Sequence, residues 1–348
     1  MTEVNTHRTR HQSFDYQILR ECAIRPIAKK VITTVSENFW KELSSGNLSA
    51  QFDFLREQLK ALLTPEISVD PIVKTDLLQA ISRYSLRMGA WSLLKQVISA
   101  LLLQVRHEFS TQHRLSIATG LMAEWALAAG DGQCASIYAS ESLSWGSETH
   151  RIRAYLAYAS LLMGPAKSSR DRLNFELSRA ATEQQALIQD RHQFTLLHHL
   201  RLVLLRMMDR LENAKIESLT ISDCSEVDPV FDQCKKSSNS VVSEIAIFAY
   251  WVGKWNQDSV LSRSADEVAC LHEKGRWREL QLIEAMQGNK VQYLTREERQ
   301  WITMLDSLSE QLVWPQCPIV DKYYLDRLPT KIETTNVYDA KRRLLCCI

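Results

Sequence analysis

The sequence predicts an all-α protein: an α-solenoid of about six stacked helical hairpins, with an N-terminal helical cap and an extended C-terminal tail. Three observations predict it. Glycine and proline are scarce, 10 and 8 among 348 residues, too few for the turns of a loop-rich or all-β chain. Apolar residues recur at helical spacing over most of the length. One stretch, Leu121 to Leu143 (LMAEWALAAGDGQCASIYASESL), reads as two amphipathic helices folded back on each other at Gly130-Asp131, and versions of that hairpin return along the chain.

Composition narrows the class further. With 45% hydrophobic and 24% charged residues the chain can bury a sizeable core. Forty-two basic residues against forty-one acidic ones leave a net charge of +1, which gives no field for steering the molecule onto nucleic acid or an anionic membrane. No nucleic-acid partner is expected. The eight cysteines are scattered, without a CxxC pair, as suits a reduced, cytoplasmic setting. Residues 1–12 are polar and lack the apolar core of a secretion signal, and the longest mainly apolar run, Val97 to Leu103, is far short of the roughly 20 residues that span a bilayer. A soluble protein without a membrane span is expected.

Taken in order, residues 1–12 form a disordered start and residues 13–69 the helical cap. Ile27, Val31, Val35, Phe39 and Leu43 recur every fourth residue until Ser45-Gly46-Asn47, and Phe52, Leu55, Leu59 and Leu62 form a second stripe that ends at Thr64-Pro65. The repeats occupy 70–313. Asp70-Pro71 is a helix start, an N-cap acceptor followed by a proline whose missing N–H costs nothing there. The first helix carries Ile72, Leu77, Leu78, Ile81 and Tyr84 to Met88-Gly89, and AWSLLKQVISALLLQV returns.

The second hairpin is the stretch around Gly130. The third pairs HRIRAYLAYASLLMG with SRDRLNFELSRAATEQQALIQ, the fourth pairs FTLLHHLRLVLLRMMD with a return over 210–218, and the fifth pairs SVVSEIAIFAYWVGKW with a return to His272. The sixth pairs WRELQLIEAMQGNK with a helix opened by the capping box of Thr295 and Glu298. The turn residues Gly89, Gly130, Gly164, Asp209, Gly253 and Gly288 are spaced 34 to 45 residues apart. Residues 220–239 lose periodicity and read as an exposed polar insertion with one short helix. Residues 314–348 hold three prolines and form an irregular tail, either packed extended along the array or loose.

The second hairpin resembles a tetratricopeptide repeat, the helical hairpin used to bind other proteins. Ala123 falls at the small position of the first helix, Gly130-Asp131 at the turn and Ala135 at the small position opening the second helix, with Tyr138 one turn on. Ala157 and Gly164 keep the spacing in the third hairpin, where Pro165 and Ser169 depart from it; Asp209 and Ala214 keep it in the fourth. Leu94 and Asp258 stand where the small residue belongs in the first and fifth. The resemblance implies a concave groove lined by the first helix of each hairpin. On this chain it offers Gln79, Arg83, Glu124, Arg151, Tyr158, His199, Arg206 and Tyr250 as partner contacts.

No residue pattern points to catalysis. The chain contains no GxxxxGK[ST], GxGxxG, HExxH or GxSxG. Asp190, Arg191, His192, His198 and His199 are the densest titratable cluster, but His192 and His199 lie about 10 Å apart along a helix, too far for one metal ion to bridge. Cys224 and Cys234, and Cys270 with His272, lack the second short-spaced pair of a zinc site. No metal, cofactor or catalytic residue is assigned. Most of the nine tryptophans suit packing between hairpins; Trp314, in the proline-bearing tail, is the candidate for a partner contact. The last eight residues, KRRLLCCI, place basic side chains beside a cysteine pair, as an acylated terminus does, but Leu345 stands where prenylation needs cysteine, and an ordinary basic terminus is the simpler reading.

The function these observations favour is a non-catalytic scaffold or adaptor, a subunit of a larger complex, that holds a peptide or protein partner with an acidic segment in its groove. One alternative is a peptide-responsive regulator whose repeats control the N-terminal helical module. Another is a metal-dependent enzyme using the His192–His199 region.

Overall fold

The computed structural model describes residues 47–64, 69–106, 111–145, 191–214, 227–238, 240–254, 275–286, 292–315 and 343–345, with single positions at 155, 156, 158, 159, 171, 172, 174, 175, 178, 269, 271 and 272. Among these residues every regular element is an α-helix and none is a strand. Ten helices are delimited: α1 (Leu48–Leu63), α2 (Pro71–Met88), α3 (Trp91–Arg106), α4 (Thr111–Ala129), α5 (Gly132–Ser144), α6 (Arg191–Ala214), α7 (Val227–Lys235), α8 (Ser240–Lys254), α9 (Trp277–Met286) and α10 (Arg296–Gln311). No helix among the described residues is long and apolar enough to cross a membrane. The chain divides into two units, residues 1–121, 268–284 and 290–331 in one, and 122–267, 285–289 and 332–348 in the other.

In the first unit, local chemistry starts and stops the helices as the sequence implies. Asn47 accepts the Ala50 N–H at 2.9 Å to open α1, and Asp70 accepts from Ile72 and Val73 at 2.8 and 3.3 Å to open α2, with Pro71 in the first turn. Phe52, Leu55, Leu59 and Leu62 are buried, as are Leu77, Leu78, Ile81 and Tyr84; Ile72, at 42% exposure, lies outside the core. Gly89 ends α2 with φ 72°, a left-handed conformation that a side chain would strain, and Ala90 N–H returns to the Ser85 carbonyl.

Helix α3 then begins without a capping side chain of its own, because alanine precedes it. Asp306 of α10 fills that role: its Oδ1 accepts the N–H groups of Ser92 and Leu93 at 2.9 and 3.2 Å. Burial pushes the Asp306 carboxyl up to about 6, although the two N–H groups pull the other way. On the same helix, the Trp301 indole donates to the Tyr84 hydroxyl at 2.9 Å, both groups buried. From α9, the Gln281 amide lies over the Gly89 turn, donating to the carbonyls of Met88 and Gly89 and accepting from the Trp91 indole at 3.1 Å. A Cβ on Gly89 would collide with that amide.

This packing departs from an array in which each hairpin touches only its sequence neighbours. The α2–α3 hairpin is completed by α9 and α10, and α10 packs on both α3 and α1. The physical reason is the set of groups left open at the Gly89 turn and at the start of α3, which side chains about 200 residues further along satisfy. The capping box that opens α10 forms as expected, with Glu298 N–H donating to Thr295 and Thr295 N–H to Glu298.

In the second unit, α4 closes at Gly130, φ 80°, with Asp131 N–H returning to the Ala126 carbonyl at 2.9 Å and the Asp131 carboxylate capping α5 through Cys134 N–H. Ala123, Ala135 and Tyr138 have no exposed surface, so the predicted small positions lie in the interior. Helices α6, α7 and α8 pack on one another. Within the stretch read as an exposed insertion, the predicted short helix is present as α7, but Val227 and Cys234 are buried and the helix is part of the packing.

One turn position differs from expectation. Helix α6 continues through Asp209 to Ala214, so the fourth hairpin does not turn at Asp209; MMDRLENA holds no glycine or proline to break it. Gly253 lies one residue before the end of α8 at Lys254, and the return expected after it lies outside the described residues. The turns expected at Gly164 and Gly288, and the stripe from Ile27 to Leu43, lie outside the described residues.

Two stability predictions follow from these contacts. Ala123→Leu or Ala135→Leu should overpack the interior around these fully buried alanines and cost about 1–3 kcal/mol, seen as a lowered thermal midpoint. Asp306 binds its proton more tightly folded than unfolded, so its contribution is fully present below pH 3.8 and is lost as pH rises through about 6. Asp306→Asn keeps the acceptor without the charge and should gain about 1–3 kcal/mol on the wild type between pH 4 and 7, measured by denaturant titration at each pH.

Candidate functional site

Among the described residues, Glu124, Tyr158, His199, Arg206 and Tyr250 of the partner-contact residues that the sequence offers belong to the second unit, and polar ties hold Glu124 and Tyr158. Glu124, on α4 next to Ala123, is buried; its Oε2 accepts from the Tyr155 hydroxyl at 2.9 Å. Tyr155 and Tyr158 lie three residues apart on a helical segment and so share a face. The Tyr158 hydroxyl, fully buried, sits 3.5 Å from His198 Nδ1 on α6, with the two rings edge to face at 6.5 Å. Two polar contacts therefore connect α4, the segment at 155–159 and α6.

The next residues on α6 are less enclosed. His199 and Arg206 are half-buried and two turns apart, on one face. Burial first, and the Arg206 charge second, hold the His199 ring below its ordinary pKa, so it is neutral at neutral pH. Tyr250 of α8 donates to Asp228 of α7 at 2.5 Å and stacks on Phe231 with ring centroids 3.8 Å apart and planes 7° apart. That arrangement fixes the α7–α8 pair, and periodicity gave no sign of it because Asp228 and Phe231 lie in the stretch whose apolar pattern is weakest.

The remaining candidates separate. Gln79 and Arg83 are half-buried, one turn apart on α2 in the first unit. Arg151 lies outside the described residues. Trp314 is half-buried and its indole donates to the Leu308 carbonyl at 3.3 Å, folding back on the end of α10. Glu124 and Tyr158 present no open side chain in this conformation; they act from inside.

Of the cysteines and histidines considered for chemistry, the structure describes the surroundings of Cys234, His198, His199 and His272. Cys234 is buried, and burial pushes its thiol up to about 12, so it stays protonated and unreactive at neutral pH. Among the described residues no three His, Cys, Asp or Glu side chains come together as metal ligands. His272 pairs its Nδ1 with Glu298 Oε1 at 2.8 Å in the first unit. Burial raises the Glu298 carboxyl, but bonding to His272 and to the Thr295 N–H outweighs it, and the group titrates below its ordinary range. The sequence identifies Glu298 as a cap; the histidine 26 residues earlier carries no local signal.

The tie at Glu124 can be tested directly. Tyr155→Phe takes one donor from a buried carboxylate and should cost about 1–3 kcal/mol in unfolding free energy. Glu124→Gln combined with Tyr155→Phe should show coupling, measured as a double-mutant cycle by chemical denaturation.

The chain matches no protein-family model, no curated protein and no solved structure.

Proposed function

We propose that the chain is a non-catalytic interaction protein whose successive first helices, stacked in the manner of an α-solenoid, hold a peptide or protein partner. The observation that supports this most directly is the run of ties through the second unit: Glu124 on α4 to Tyr155, Tyr158 to His198 on α6, and α6 packed on α8. These segments are the first helices of the second to fifth hairpins in the sequence. Side-by-side first helices are what a solenoid offers to a ligand.

The ligand chemistry follows from the half-buried surface of α6. His199 is neutral, Arg206 carries its charge on the same face, and Arg151 precedes Tyr155 by four residues in sequence. A guanidinium on such a surface pairs with carboxylates, so the partner is an acidic segment. As an adaptor, the protein would act by holding this segment and not by altering it.

The test is selection of peptides from a random display library on the immobilised full chain. Acidic sequences should be enriched, and their affinity should fall at least tenfold in Arg151→Glu/Arg206→Glu and with rising salt. Unchanged peptide binding in that variant, with its helical circular dichroism intact, would remove the proposed groove.

A further inference from the structure

Helix α6 is enclosed on nearly all sides. From Leu196 to Met208 every position is buried except His199, Arg201 and Arg206. A helix that is apolar around its circumference belongs inside a fold, so the positions that break its burial mark where the surface reaches it. His199 and Arg206 are two turns apart on one face, and Arg210, exposed, continues that face one turn further; Arg201 lies on another.

The groups on that face differ in kind. A guanidinium keeps its charge at every pH a cell presents, whereas an imidazole changes charge near neutrality. Burial and the Arg206 charge both act against the imidazolium form of His199 and keep the ring neutral at neutral pH. The helices packed on α6 contribute Asp228, Asp232 and Lys235 from α7 and Tyr250 from α8, with Asp228 engaged by the Tyr250 hydroxyl. Among the described residues, Arg206 is the charge that acts on His199, and Tyr158 meets the neighbouring ring of His198.

A carboxylate placed on this face reverses the balance. It offsets the Arg206 charge and gives the imidazolium a partner, so binding draws a proton onto His199. We propose that His199 makes the α6 surface a proton-dependent clamp, whose hold on an acidic segment tightens as pH falls below neutrality. The proposal rests on the reading of α6 as the partner surface and adds its regulation. The site grips loosely where His199 is neutral and tightly where it joins Arg206 as a second cation. By linkage, one proton taken up on binding raises affinity by up to about tenfold per pH unit between the free and bound titration midpoints of the ring.

The test is the anisotropy of a fluorescent hexa-aspartate peptide, whose carboxylates stay ionised throughout, titrated with the full chain at about pH 5.5 and about pH 7.5. Affinity should be about fivefold higher at the lower pH for the wild type and equal at the two for His199→Gln. Wild-type binding that is the same at both, or a pH response that survives in His199→Gln, would overturn the proposal and leave the α6 surface in place. Absence of binding at either pH overturns the α6 reading with it. Should His199→Gln lose its helical circular dichroism, calorimetry of wild-type binding at about pH 6 in two buffers of different ionisation enthalpy decides. Proton uptake supports the clamp, and none refutes it.

Discussion

The start of α3 is the point on which the first unit depends. A helix leaves its first N–H groups without intrahelical partners, and the residue before Trp91 is an alanine that cannot accept. Asp306 accepts two of them from α10, and this single carboxylate fixes how α10 lies against the hairpin. Trp301 to Tyr84 and Gln281 over Gly89 then lock the same hairpin from two further directions. The carboxylate is partly removed from water to do this, which is why its proton is held so tightly.

The second unit is organised by the same logic on a different scale. Gly130 and Gly89 are both left-handed turns, and each is covered by a planar side chain from far along the sequence, Arg343 in one case and Gln281 in the other. Ala123 and Ala135 lie in the interior, while the hydroxyls of Tyr155 and Tyr158 reach from their shared segment to α4 and α6. A buried polar bridge needs defined geometry to offset its desolvation, so Glu124–Tyr155 selects one arrangement of helices over near alternatives that apolar packing alone would tolerate.

Much of the helical framework was legible in the sequence. Asn47, Asp70, Asp131 and Thr295 are caps that act over two or three residues, and Gly89 and Gly130 are turns set by one residue's conformational freedom; such signals need no knowledge of the rest of the chain. The turn expected at Asp209 is absent because a polar residue in a strong helical run does not stop a helix unless something else competes for its backbone. The long-range ties were invisible for another reason. Asp306, Gln281 and Arg343 look like ordinary surface residues of their own segments, and their partners are backbone groups that every sequence possesses. The candidate contact residues were legible as positions on helical faces but not as environments: periodicity cannot distinguish the enclosed Tyr158 from the half-buried Arg206.

The claim that joins these findings is that residues distant in sequence complete hairpins whose own ends are left open. Amide hydrogen exchange at Ser92 and Leu93 measures it most directly. With Asp306 in place both amides should exchange slowly, Asp306→Asn should keep them slow, and Asp306→Ala should release them while the middle of α3 stays protected. Exchange at Ser92 and Leu93 that is indifferent to Asp306→Ala would contradict the account.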